Sequence, residues 1–281
     1  MAQGGRQKCC VACGGESIHK EFSKLVLKSY QADYFECTRC GTLQIANVHW
    51  LDEAYGNAAV DIDTGAAQRS VMCSLLVRSL RLAGLVKRSA MSIDFGAGSG
   101  LLVRLLRDQG LDAHGFDKFT EMALCRQFRI EELPSDGGLA AELITAFEVF
   151  EHVLSPADTL GLLRRNLSPR GMVLLTTGLY DSREHGPDWD YLSPQHGQHI
   201  NFFSRQGLTI LAEAFGLKAL FLPFGFHLLL PPDTTVGFVR RTMIGLLAAA
   251  QFAVARTLGL CNFRHALRDN QALAEQTIRR P

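Results

Sequence analysis

Three groups of residues in this 281-residue sequence have types and spacings that can do chemistry. The first is a pair of knuckles, Cys10-Val-Ala-Cys13-Gly14 and Cys37-Thr-Arg-Cys40-Gly41, with 23 residues between Cys13 and Cys37. Two residues between thiolates let both sulfurs reach one tetrahedral ion, and the glycine that follows permits the tight turn of the backbone. Two knuckles supply four ligands and leave no open coordination position, which predicts a structural zinc on Cys10, Cys13, Cys37 and Cys40. A redox dithiol is the alternative use of such pairs. Cys9 cannot point the same way as Cys10, and Cys73, Cys125 and Cys261 read as ordinary core or surface residues.

The second group is the turn Asp94-Phe95-Gly96-Ala97-Gly98-Ser99-Gly100, which follows an apolar run and opens an amphipathic one. Glycines let a backbone approach a ligand closely, and a helix N-terminus offers free N–H groups to its polar end. Dinucleotide-binding turns space their glycines as G-x-G-x-x-G, whereas here they fall at 96, 98 and 100 and Leu101 follows, which argues against a pyrophosphate and hence against nicotinamide cofactors. Asp117 lies 17 residues after Gly100, at the end of the next apolar run, where a carboxylate accepts ribose hydroxyls.

The third group is Phe147-Glu148-Val-Phe-Glu151-His152, at the carboxyl end of an apolar strand. Doubly wound sheets bind ligands at such strand ends. Three roles are open to these residues. His152 can act as a general base, since an imidazole with a pKa near 6.5 suits proton removal at neutral pH. Glu148, Glu151 and His152 can instead bind a divalent cation, with His196 or His199 completing the site. Or the carboxylates only bond cofactor and backbone while His152 caps a helix.

The set Asp94, Gly96, Gly98, Gly100 and Asp117 resembles the class I S-adenosylmethionine-dependent methyltransferases, and the Glu-x-x-Glu-His segment is similar to the fourth-strand motif of a large group within them that includes ubiquinone-type O-methyltransferases and bacterial sugar methyltransferases. Tyr191 to Ser204, with its proline and histidines before a helix, looks like the same group. With the knuckles, the match from about 10 to 222 resembles bacterial zinc-ribbon methyltransferases. The resemblance implies S-adenosylmethionine as cofactor, held by Asp94, Phe95, Gly96, Ala97, Gly98, Gly100, Phe147 and Glu148, with Asp117 on its ribose and Lys118 beside its adenine. It implies methyl transfer to an oxygen or carbon of a small-molecule or glycan-linked acceptor. An RNA methyltransferase that docks nucleic acid through its ribbon, or a non-catalytic binding protein on the same fold, are the rival readings.

These groups need elements to position them. From Ala90 onward short apolar runs alternate with amphipathic stretches: Met91–Phe95, Leu101–Gln109, Ala113–Phe116, Glu121–Phe128, Leu143–Phe147, Ala157–Leu167 and Met172–Thr176. This βαβ rhythm predicts an α/β fold, a Rossmann-like doubly wound and mostly parallel sheet behind an N-terminal zinc ribbon. A loop over 178–198 is long enough to be a binding segment, in which Asp188, Trp189, Asp190 and Tyr191 could meet a sugar. Ser204–Phe215 reads as a helix capped by Ser204 and stopped by Gly216, and Lys218–Phe224 as a strand. The expected organisation is therefore 1–47 zinc ribbon, 48–90 helical connector, 91–222 cofactor-binding domain and 223–281 apolar, helical extension. Within the last, Thr242–Leu260 is nearly all apolar but carries Gln251 and Arg256, which favours a packed or interfacial helix with peripheral membrane contact over a span.

Bulk properties narrow the partners. At 47% hydrophobic residues the chain is not disordered, and 29 basic residues against 28 acidic ones leave no field that favours a nucleic acid. The opening residues lack an apolar signal region, so a reducing cytoplasm is expected, and there eight cysteines are better used for metal and core than for disulfides.

Overall fold

The computed structural model describes residues 9–16, 18–56 and 65–259. Its larger sheet has six strands: β4 (Met91–Phe95), β5 (Asp112–Phe116), β6 (Ala141–Phe147), β7 (Leu167–Thr176), β9 (Lys218–Phe221) and β10 (Phe226–Leu230). Their order is β5-β4-β6-β7-β10-β9, parallel from β5 to β7 and antiparallel at both contacts of β10. The fold is thus the expected α/β class with a mostly parallel central sheet. Buried on both faces, β6 alternates its side chains between two cores: Leu143 faces one and Ile144 the other. The first core is covered by α2 (Ala66–Leu82), α3 (Leu101–Asp108) and α6 (Phe238–Thr257), the second by α4 (Pro156–Asn166) and α5 (Arg205–Ala214).

The helix ends follow from local chemistry. Ser155 accepts from the Asp158 amide at 3.4 Å and Pro156 opens α4 without a lost donor. Ser204 accepts from the Gly207 amide at 2.8 Å to cap α5, and Gly216, at φ +67°, ends it.

A smaller antiparallel sheet carries the cysteines. β1 (Ile18–Val26), β2 (Tyr30–Cys37) and β3 (Leu43–Ile45) come from the N-terminal module, but the fourth strand, β8 (Asn201–Phe202), comes from the far end of the long loop. Leu43 pairs with Phe202 and Gln44 with Asn201. A third core joins Tyr34, Leu43 and Trp50 to Tyr180, Leu192 and Phe202, and the Trp50 indole donates to the Gly197 carbonyl at 2.8 Å. The ribbon and the loop are one packed unit.

Five expectations change. Glu121–Phe128 is not a helix: Asp117 caps a turn at Phe119 and Thr120, the Leu124 amide bonds the Ser99 carbonyl at 3.0 Å, and a single 3-10 turn at Arg126–Phe128 remains. The strand expected over Lys218–Phe224 stops at Phe221, and the chain turns at Phe224, φ +64°. The main sheet does not end at 222: β10, all five residues buried, lies inside it. Among the described residues the connector holds two helices, α1 (Leu51–Gly56) and α2; residues 57–64 between them lie outside the description. The apolar tail forms α6 from Phe238, four residues before the expected start, while Leu260 and Cys261 lie outside the described residues. Ile244, Ala248 and Ala255 are buried, and Gln251 is explained by a 2.7 Å bond to Ser79 of α2.

Because β8 is shared, breaking the cysteine cluster should loosen the loop as well as the ribbon. In Cys37→Ser, amide exchange at Asn201 and Phe202 is expected to speed up by about tenfold or more, while β4 and β6 stay within about twofold. Unchanged exchange in β8, or equal loss in both sheets, contradicts the shared core.

Candidate functional site

The chain leaves β4 for β5 on one side and returns to β6 on the other, so the carboxyl ends of β4 and β6 bound the crevice at which such sheets bind ligands. The glycine turn fills the β4 side. Gly96, Gly98 and Gly100 all adopt positive φ, at +81°, +52° and +83°. A β-carbon on Gly96 would also lie 2.7 Å from the Val149 side chain. The turn is pinned to β5: the Gly96 and Ala97 amides donate to the Phe116 carbonyl at 2.8 and 3.1 Å, and the Gly98 amide donates to Asp117 Oδ2 at 2.8 Å. Asp117 Oδ1 accepts from the Phe119 and Thr120 amides at 2.8 and 2.7 Å. Asp94 is buried beneath the turn with a 2.7 Å hydrogen bond from Thr145 Oγ1, and burial pushes its carboxyl up to about 7.

A cavity of about 470 Å³ opens in front of the turn. Of the residues expected to hold a cofactor, Asp94, Gly96, Ala97, Gly98, Phe147 and Glu148 line it; Phe95, Gly100, Asp117 and Lys118 do not. Phe95 stacks on Phe116, and Lys118 is exposed with its ammonium 5.5 Å from the Phe119 ring. Gly100 is the left-handed cap of α3. Asp117 pins the turn through its bonds from the Gly98, Phe119 and Thr120 amides.

The opposite wall is the Glu-x-x-Glu-His segment. Glu148 takes φ +52°, uncommon for a residue with a side chain, and is held there by its amide, which donates to Thr176 Oγ1 at 3.0 Å. Tyr191 points its hydroxyl at both carboxylates, 2.7 Å from Glu151 Oε1 and 3.3 Å from Glu148 Oε2. Glu151 is wholly buried; burial first, then the neighbouring Glu148 charge, raises its carboxyl well above the ordinary range. His152 and His199 meet edge to face with centroids 4.8 Å apart, and burial holds both imidazoles below their usual range, so both are neutral at pH 7. His152 Nδ1 lies 3.1 Å from the Tyr55 hydroxyl. His199 Nδ1 donates to the Tyr191 carbonyl at 2.7 Å. His196 lines the same cavity, its Nδ1 2.7 Å from Ser193 Oγ.

Two contributors had no sequence signal. Arg69 enters the cavity from α2, and Tyr55 reaches His152 from α1, 97 residues away. Tyr191 and Trp189, candidates for stacking on a sugar, instead anchor the loop. Trp189 packs among Tyr180, His185 and Phe202, and Tyr191 is spent on the two glutamates; only Tyr191 and Asp190 of that stretch line the cavity.

The four ribbon sulfurs lie within 4.8 Å of one another, with Cys10 to Cys40 at 3.5 Å and Cys13 to Cys37 at 3.6 Å. A tetrahedral site with Zn–S of about 2.3 Å sets sulfurs about 3.8 Å apart, so the donor set and its spacing fit zinc. The contact with Cys10 draws the Cys40 thiol below the usual thiol range, toward the thiolate that a metal takes.

A family model described as a methyltransferase domain matches residues 66–221. Among solved structures the fold is similar to an O-methyltransferase family protein from Burkholderia thailandensis, at 16% identity over 65% of this chain and 62% of that one, with a TM-score of 0.50. It is also similar to a methyltransferase from the complex with the Haloferax volcanii Trm112 methyltransferase activator, at 19% identity, 64% of this chain, 98% of that chain and a TM-score of 0.49. A third is the 1,6-didemethyltoxoflavin-N1-methyltransferase of Burkholderia thailandensis with bound 1,6-didemethyltoxoflavin and S-adenosylhomocysteine, at 16% identity, 64% and 83% coverage and a TM-score of 0.45. No curated protein sequence gives a significant match.

The geometry of the glycine turn makes Gly96→Ala a direct probe. A β-carbon at this φ costs about 1–2 kcal/mol, and Val149 must also move. Chemical denaturation should show at least that loss of stability, and calorimetry a loss of about tenfold or more in S-adenosylhomocysteine affinity. A variant with wild-type stability and affinity contradicts the role given to the turn.

Proposed function

The chain belongs to the S-adenosylmethionine-dependent methyltransferases of class I, and from that membership we propose that it transfers the sulfonium methyl to an oxygen or carbon of a small-molecule or glycan-linked acceptor held in the cavity. One observation carries this reading: a single cavity has the glycine turn and Asp94 on one wall and Glu148, His152 and His199 on the other. S-adenosylmethionine brings an already activated methyl, so the protein has chiefly to align donor and acceptor and to deal with the acceptor's proton. Asp94, Gly96, Ala97 and Gly98 are assigned to the methionine end of the cofactor, and Glu148, Glu151, His152 and His199 to the acceptor, with His196 on the wall beside them.

Asp117 is assigned to the ribose. Its Oδ2 carries one backbone bond from Gly98, which leaves acceptor capacity for a hydroxyl. The cavity volume suits a small molecule or one unit of a larger glycan, and the near-zero net charge speaks against RNA.

Cys10, Cys13, Cys37 and Cys40 are assigned one structural zinc, which four thiolates saturate. Cysteines used for a metal fit a reducing cytoplasm. α6 fits peripheral contact with a lipid surface: Phe238, Val239, Leu246 and Leu258 are exposed, and Arg240, Arg241 and Arg256 are the helix's only charges. It is long and apolar enough to cross a membrane by length and composition, but its stripe packed on α2 favours the peripheral arrangement.

Two binding measurements test the reading. Calorimetry should detect S-adenosylmethionine and no NAD, and Asp117→Ala should weaken cofactor binding by about 1.5–3 kcal/mol, through lost charged hydrogen bonds and a freed turn. Tight NAD binding without S-adenosylmethionine binding overturns the assignment.

The second measurement is the proton linkage of Asp94. Its carboxyl, raised to about 7, is partly protonated at neutral pH, and a cationic ligand entering beside it favours the charged form. Binding should therefore release protons, and affinity should rise with pH between roughly 6 and 8. Calorimetry in buffers of different ionisation heat measures this; proton uptake, or a slope unchanged in Asp94→Asn, contradicts it.

A further inference from the structure

Glu151, His152 and His199 each offer one ligand atom, and these three atoms lie within 4.8 Å of one another beside the cavity. What distinguishes them from an ordinary polar cluster is how their other atoms are used. Tyr191 holds two of the three groups: its hydroxyl bonds Glu151 Oε1 at 2.7 Å, and its carbonyl accepts from His199 Nδ1 at 2.7 Å. The third group, His152, is held at Nδ1 by the Tyr55 hydroxyl at 3.1 Å. Each imidazole is thus fixed through Nδ1 and keeps Nε2 for a ligand. Glu151 Oε2 is buried with no hydrogen-bond partner among the described residues.

Buried carboxylate oxygens are seldom left alone, since an unsatisfied one costs on the order of 1–3 kcal/mol. Among the described residues, no side-chain hydrogen bond joins the three groups to one another, although they converge. Histidine ligands of metals characteristically donate their second N–H to a carbonyl, a carboxylate or a water, which fixes the ring and sharpens the lone pair on the other nitrogen. His199 already has that partner. Two imidazoles and one carboxylate, open on the cavity side, are a donor set suited to manganese, iron, cobalt or zinc with positions left for a substrate.

We propose that Glu151, His152 and His199 bind one divalent cation whose open positions face the cavity, and that the acceptor is a hydroxyl compound bound to this cation through its oxygen. Glu148 is left out of the ligand set. This rests on the methyl-transfer reading and narrows it from oxygen or carbon to oxygen. A hydroxyl on the cation loses its proton more readily. That proton passes to Glu148, the carboxylate that lines the cavity beside the ligands, and from there to water. The freed oxygen lone pair forms the C–O bond as the C–S bond of the sulfonium breaks. The bonding pair stays on sulfur, giving a neutral thioether, so charge and atoms balance.

The test uses the full chain with the ribbon loaded with zinc and checked by metal analysis. Manganese(II) is the probe because nitrogen and oxygen ligands accept it while thiolates prefer softer ions. Titration followed by electron paramagnetic resonance of the free ion should give one manganese per chain. His199→Ala and Glu151→Gln should each weaken it by about tenfold or more. Tyr191→Phe, which frees Glu151 but keeps the carbonyl on His199, should weaken it less. S-adenosylhomocysteine binding, unchanged within about threefold in these variants, shows that they are folded; if Glu151→Gln does not fold, His199→Gln replaces it. Two zincs per chain in the wild type and one in His199→Ala would support the site equally.

No manganese and no second zinc in a wild type that binds S-adenosylhomocysteine would overturn the cation site and leave methyl transfer standing. Manganese binding undiminished in both variants would also overturn it. Manganese bound by a protein that does not bind S-adenosylhomocysteine would keep the site and sink the functional reading on which its role rests.

Discussion

The peptide carbonyl of Glu151 accepts from the amides of Ile200 and Asn201 at 2.8 and 3.1 Å, and the Asn201 side chain returns to the carbonyls of Phe150 and Val153 at 3.4 and 2.7 Å. Buried peptide groups must find partners somewhere. Here the turn after β6 and the end of the long loop satisfy one another. One residue that locks this turn, Asn201, forms with its neighbour Phe202 the fourth strand of the cysteine-bearing sheet. The ribbon, which looks in the sequence like a separate appendage, shares this short strand with the site. Ser204 extends the joint, since its hydroxyl donates to the Cys40 carbonyl and accepts from the first turn of α5.

A second constraint is electrostatic. The crevice concentrates ionisable groups where water is excluded, and burial drives each toward its neutral form: Asp94 and Glu151 upward, His152 and His199 downward. Such opposed shifts are costly for folding and mark sites where protonation is put to use. A site held close to neutrality also suits a cationic donor, because each carboxyl can gain charge as the donor binds. The enzyme's own contribution is then to fix distances, which it does through the Asp117 latch on Gly98 and the Tyr191 contacts on the opposite wall.

Much of the frame was legible in the sequence because its signals are local. The run Met91–Phe95 is β4 residue for residue, and Ser204 and Gly216 bound α5 by capping chemistry that needs no tertiary information. Errors arose where tertiary contacts decide. Phe-His-Leu-Leu-Leu is apolar but for His227, and periodicity cannot separate a strand buried on both faces from a helix, so the sequence alone places β10 in the C-terminal extension. Glu121–Phe128 has helical spacing, yet Met122 lies buried against Gly115 and Gly100, which holds the segment against the glycine turn. At the site, the Glu-x-x-Glu-His segment stands at the carboxyl end of β6, beside the cavity, as its sequence context suggests. That His199 stands on His152 while His196 turns to Ser193, or that Tyr55 arrives from α1, depends on how distant segments fold together.

The account holds that the crevice between β4 and β6 takes the methyl donor with its sulfur facing the glutamate–histidine wall. A crystal structure of the protein with S-adenosylhomocysteine measures this most directly. The expected result is a ligand lying along Gly96 to Gly100, its ribose at Asp117, the amino group of its methionine end toward Asp94 and its sulfur open to Glu148 and His199. A ligand bound elsewhere, with the turn bare, would contradict the account.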